Sequence, residues 1–135
     1  MSGKILFLNN KSRQNFFAKD AVQKFYTCLI QADLENLKEL LWFDINVMDL
    51  IDNQEIYGKP NVAAFFENLL FDEIAPYLME INYGILPRDR PAILISYPLR
   101  PDYPNTEILV LKIIAHKIIT IERSKHIPKE IIVAE

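Results

Sequence analysis

Glycine is scarce in this chain, with three among 135 residues. Neither G-x-G-x-x-G nor G-x-x-x-x-G-K-[ST] occurs, which excludes the glycine-rich cradles that hold nucleotide phosphates. Cysteine occurs once, at Cys28, so an internal disulfide and a multi-cysteine metal site are excluded too. The two histidines, His116 and His126, are expected at a turn and in the tail. Without a convergent His/Asp/Glu cluster no metal or other cofactor is expected. Basic charge is also short: 15 Lys and Arg stand against 18 Asp and Glu, for a net charge of −3. That balance argues against nucleic acid, whose phosphates demand a basic face. No apolar run reaches the ~18 residues of a membrane span. The patch Ile5–Leu8 is too short for the core of a signal peptide. The expected location is the cytoplasm, with no membrane partner.

What is present fits one globular domain. Hydrophobic residues make up 50% of the chain and charged residues 24%, enough to close a real core. An arm is expected over residues 1–14, a domain over 15–125 and a tail over 126–135. Ala18, Val22, Phe25, Leu29 and Ala32 recur at helical spacing and predict a first helix from about Asn15 to Ala32. Cys28 lies on it as a small core residue. Asp33 is placed to cap a second helix, whose buried face is Leu34, Leu37, Leu40 and Leu41. Trp42 is expected to close one end of the core. A third helix, from Lys59 to Leu70, opens on Gly58 and Pro60 and carries Val62, Phe65, Phe66 and Leu69 on one face.

Strands dominate the rest. Leu78–Leu86 and Ala92–Leu99 alternate, Thr106–Ala115 is nearly all apolar, and Ile118–Arg123 follows a tight turn at Ala115–Lys117. Helices first and strands last predict an α+β fold with a mainly antiparallel sheet. The doubly apolar Thr106–Ala115 strand predicts cover on both faces. One face packs on the helices. The other is covered either by a second subunit, giving a homodimer through the sheet, or by the C-terminal tail.

The candidate site lies between the second and third helices. In Ile45–Ile51 the alternation puts Ile45, Val47, Asp49 and Ile51 on one face. A carboxylate among β-branched residues is either desolvated, with its pKa raised from about 3.9 into the range of a general acid or base, or it lies near the strand end and sees water, or caps a neighbouring backbone group. Tyr83 and Tyr97 share faces with apolar residues, and their hydroxyls either meet a ligand or are satisfied in the core.

The segment FYTCLIQADLENLKELLWFDINVMDLIDNQEIYGKPNVAAFFENL resembles the opening half of the NTF2-like superfamily. That superfamily has a cystatin-like α+β fold and includes ketosteroid isomerases and SnoaL-like polyketide cyclases. The resemblance rests on a helix, the Ala32-Asp33 step, a leucine-rich helix, Asp44, a strand, and a glycine opening the third helix. In order of elements it spans about residues 15–125. It implies three helices on a strongly curved sheet that forms a cone, a pocket at the open end, and dimerisation through the sheet. It implies a pocket lined by Phe25, Leu29, Val47, Phe65, Tyr83 and Tyr97. Asp49 falls where ketosteroid isomerases keep their aspartate base. Phe25 stands in the place of the oxyanion-hole tyrosine, and Leu109 or Val110 in that of the second acid, so steroid-type isomerisation is not expected. Three functions follow as expectations. The first is binding of a small, largely apolar molecule in the pocket. The second is an isomerase, cyclase or dehydratase using Asp49. The third is a protein-interaction module.

Overall fold

The computed structural model describes residues 4–5, 13–74, 80–88, 90–96, 106–125 and 133–134. The helices are α1 (Arg13–Gln31), α2 (Leu34–Leu40) and α3 (Lys59–Asn68), the last running into a π-helical turn over Leu69–Ile74. The strands are β1 (Lys4–Ile5), β2 (Leu41–Asp49), β3 (Gln54–Tyr57), β4 (Glu80–Leu86), β5 (Arg90–Ser96), β6 (Thr106–Ile114), β7 (Lys117–Ser124) and β8 (Val133–Ala134). Six strands form one curled sheet in the order β3-β2-β7-β6-β5-β4, and β1 pairs with β8 in a separate two-stranded ribbon. Every pairing is antiparallel except β2 with β7. The expected α+β class and mainly antiparallel sheet are present.

Local chemistry fixes the joints. Helix α1 ends with Ala32 in the left-handed region at φ 52°. The N–H of Ala32 donates to the carbonyl of Leu29 and that of Asp33 to the carbonyl of Cys28, so the last turn is closed by a Schellman pair. Asp33 then starts α2, its carboxylate accepting from the N–H of Asn36 at 3.2 Å. Gly58, at φ 88°, makes the sharp entry to α3, with Pro60 in its first turn. The β6–β7 hairpin turns on Ala115 and His116, both at positive φ, as a two-residue turn of matching twist requires.

The core fills the space between the helices and the inner face of the sheet. Val22, Phe25, Leu29, Leu37, Val62, Phe66 and Leu69 come from the helical layer; Ile45, Val47, Ile93, Ile95, Leu109, Leu111 and Ile121 come from the sheet. Phe25 and Phe66 meet edge to face with centroids 5.5 Å apart. Cys28 is buried at the rim of this core, and burial with the nearby Asp33 charge pushes its thiol pKa up, so it stays protonated.

The strand expected to be covered on both faces is so covered only in its first half; beyond it Val110 is half-buried and Ile114 is exposed. Leu109 and Leu111 look into the core, while Ile108 on the opposite face is buried with Leu86, Ala92 and Leu94. That second burial arises within a single chain, and β1 packs against β4. A second subunit is therefore not needed to hide these side chains. Toward β3 the outer face changes character: Met48, Glu55, Tyr57 and Glu122 are exposed.

Trp42 departs from expectation. It does not close the core but is 38% exposed. The cause is a bulge: between Leu41 and Asn46, β2 carries three more residues than the β7 segment Ile118–Thr120 that it faces. The surplus turns Trp42 and Phe43 outward.

Candidate functional site: a buried arginine shared by three acids

One row of inward-facing residues crosses the whole sheet. The pairing register sets Gln54 beside Asp49, Asp49 beside Arg123, Arg123 beside Leu109, Leu109 beside Ile93 and Ile93 beside Tyr83. At ~4.8 Å per strand, Asp49 and Tyr83 stand about 19 Å apart along the sheet. The row is charged at one end and aromatic at the other.

At the charged end Arg123 is 1% exposed. Its Nε and Nη2 donate to the two oxygens of Glu107, each at 3.0 Å, in the fork geometry that matches guanidinium to carboxylate. Its Nη1 donates to Oδ2 of Asp49 at 3.0 Å and to Oδ2 of Asp52 at 3.2 Å. Asp49 and Glu107 are as buried as the arginine, whereas the Asp52 side chain is half-exposed. The guanidinium also lies over the ring of Phe65, 5.5 Å from its centroid, a favourable cation–π placement.

Asp49 is occupied on both oxygens. Oδ1 accepts from the backbone N–H of Ile51 at 3.0 Å and of Asp52 at 3.2 Å. Oδ2 accepts from Gln54 Nε2 at 3.0 Å as well as from Arg123. The carboxylate thus builds the β2–β3 turn in the manner of an Asx turn and ties that turn to β7. Of the surroundings expected for Asp49, it occupies the strand-end capping position, but buried rather than in water. The raised pKa does not hold. Burial pushes upward, but the hydrogen bonds from Gln54 and the Asp52 backbone, together with the Arg123 charge, outweigh it and lower the pKa. Asp49 is held as an anion.

The residues expected to line a pocket divide into two groups. Phe25, Leu29 and Val47 are closed into the core, at no more than 1% exposure. Phe65 and Tyr83 are half-buried at its edge. Tyr97 lies outside the described residues, as does His126; His116 is exposed in the β6–β7 turn. The Tyr83 hydroxyl accepts from Gln23 Nε2 at 2.8 Å, and its ring packs against Tyr26 at 4.7 Å between centroids. Among the described residues no group of His, Cys, Asp and Glu is arranged to hold a metal, and no helix is long and apolar enough to cross a membrane.

Comparison with solved structures identifies the architecture. A protein of unknown function from Mesorhizobium loti superposes with a TM-score of 0.67 over 87% of this chain and 97% of its own, at 10% identity. The fold is NTF2-like. A Jannaschia protein assigned as a SnoaL-like polyketide cyclase gives a TM-score of 0.65 over 86% of this chain and 90% of its own, at 13% identity. The Mycobacterium tuberculosis protein Rv0760c, solved in complex with estradiol-17β-hemisuccinate, gives 0.57 over 79% and 92%, at 18% identity. No family model and no curated protein matches the sequence of the chain. The resemblance drawn from the order of elements thus holds for the NTF2-like fold. Arg123 and Glu107 escaped attention in the sequence, although each is a lone charge in phase with the buried residues of its strand: Glu107 with Leu109 and Leu111, Arg123 with Ile121.

Proposed function

We propose that this NTF2-like chain is a binding protein that takes a small, largely apolar molecule at the edge of the core where Tyr83 and its neighbour Tyr26 are half-exposed. The observation that carries this reading is the commitment of Asp49. A general base needs a free lone pair and a pKa near the working pH. Here both oxygens are engaged, and the pKa is shifted the other way. No tyrosine of the described row approaches this acid, since Tyr83 stands at its far end. Half-exposed rings beside an otherwise apolar face suit a ligand held by shape and burial, with few polar contacts. That a similarly folded protein holds a steroid ester supports the chemical class. A homodimer through the outer face near Met48 and Tyr57 is compatible with this role.

The test is native mass spectrometry of the purified chain, first as isolated and then with estradiol as an apolar probe. A one-to-one adduct, weakened in Tyr26→Leu and Tyr83→Leu, is the expected result. The competing reading makes Asp49 the acid or base of an isomerase, cyclase or dehydratase. A turnover abolished by Asp49→Asn at an unchanged melting temperature would replace the binding role with that one.

A further inference from the structure

The β2 bulge leaves two aromatic rings outside the fold. Phe43 is 72% exposed, and its ring centroid lies 5.0 Å from that of Trp42, edge to face. Beside Phe43 runs a groove of about 590 Å³. Phe43, Pro60, Ala63 and Ala64 form its apolar lining, and Lys38, Lys59 and Glu67 its polar rim. Pro60, Ala63, Ala64 and Glu67 fall at i, i+3, i+4 and i+7 on one face of α3, with Ala63 buried as its floor and Pro60, Ala64 and Glu67 exposed. The short side chains of Pro60, Ala63 and Ala64 leave that helix face hollow, with the Phe43 ring as a wall on one side.

The lining of the groove carries one more positive charge than negative, in contrast to the chain, and Lys59 supplies it. Two lysines face one glutamate on a molecule of net charge −3. Lys38 is only loosely engaged, 3.6 Å from the exposed Glu35. Among the described residues Lys59 has no ion-pair partner.

We propose that this groove docks an amphipathic helix of another protein, apolar on the face that enters and acidic along its flanks. A shallow channel floored by alanines admits a helix closely, and helix-in-groove recognition uses apolar anchors at this same i, i+3, i+4, i+7 spacing. Exposed aromatic rings are the usual anchors of such contacts, and lysines on the rim favour an acidic partner and repel a basic one. A second copy of this chain is a poorer occupant. The apolar faces of α1, α2 and α3 are spent on the core, so no described helix is left to insert. A flat bilayer does not follow a concave channel.

The probe is a short synthetic amphipathic peptide with leucines on one face and glutamates beside them, followed by fluorescence anisotropy. Its control replaces the glutamates with lysines. The glutamate peptide should bind the full chain and the lysine peptide should not. Phe43→Ser and Ala64→Glu should each weaken binding about tenfold or more. Both sites are exposed, so circular dichroism should report an unchanged fold; Lys59→Glu, also at the surface, is a second check through charge alone. Equal binding of the two peptides, or an unaffected Phe43→Ser variant, would overturn the proposal. So would a dimer in sedimentation that Phe43→Ser dissociates, which gives the groove to a second copy. Binding to phosphatidylserine vesicles that depends on Phe43 while both peptides fail would overturn it in favour of a membrane.

Discussion

The two ends of the row that crosses the sheet are built on opposite terms. At the Asp49 end Arg123, Asp49 and Glu107 are charged, buried and saturated: the guanidinium serves these two carboxylates and the half-exposed Asp52, and both oxygens of Asp49 are taken. At the Tyr83 end the side chains are aromatic and half-exposed, with a hydroxyl joined to Gln23. Chemical richness and accessibility therefore run in opposite directions. A buried charge is tolerated only when its partners are complete, and completeness is what removes it from reaction with anything else. The end with little chemistry is the one whose rings remain half-exposed.

The hardest test of this contrast is Arg123→Met. It leaves Asp49 and Glu107 buried without their shared cation, and should cost about 3–5 kcal/mol in urea denaturation, the range for breaking a buried pair. The deficit should shrink on mild acidification, which neutralises the stranded charge. Replacing Arg123, Asp49 and Glu107 together by apolar residues of similar volume should recover most of the loss. A triple variant no more stable than Arg123→Met would show that the cluster is not a self-contained unit.

Asp49→Asn should be milder, about 1–3 kcal/mol, because an amide keeps one acceptor for the turn while its NH2 faces the donors of Gln54 and Arg123. The pH dependence has a definite sign. Since the folded state lowers the Asp49 pKa, its contribution is complete above the unfolded value near 3.9 and fades as the pH falls below it. The stability gap between the native chain and Asp49→Asn, measured by chemical denaturation at several pH values, should therefore close at low pH. A gap that widens there would refute the ion-pair account. The smallest effect belongs to the other end of the row. Tyr83→Phe removes one hydrogen bond to Gln23 at a half-buried site and should cost no more than about 1 kcal/mol. A larger loss in thermal melting would mean that the aromatic end also bears on the stability of the fold.

Particular residues show where sequence is enough and where it is not. Asp33 as a cap, Gly58 with Pro60 as a helix entry and Ala115–His116 as a turn are decided by neighbours a few positions away, and all three were legible. The double burial of β6 was legible for its first half, where Ile108 and Leu109 face two apolar layers, but not its end, where Ile114 is exposed. Asp49 was legible as a charge in the wrong company, but its surroundings were not. Its main charged partner is 74 positions away, and local alternation carries no record of which strand lies alongside. The parallel β2–β7 pairing was hidden for the same reason. The bulge at Trp42 is a mismatch of lengths between two strands, a property neither strand has alone.

That separation also governs assembly. While β7 is undocked, Asp49 is a hydrated anion already useful to its own hairpin through the N–H groups of Ile51 and Asp52. Closing the long loop to Arg123 is an entropic expense met late, after local turns and helices have formed. On that order the guanidinium would be a latch fastened near the end of folding. Weakening it should leave the refolding rate almost untouched and make the native chain open sooner.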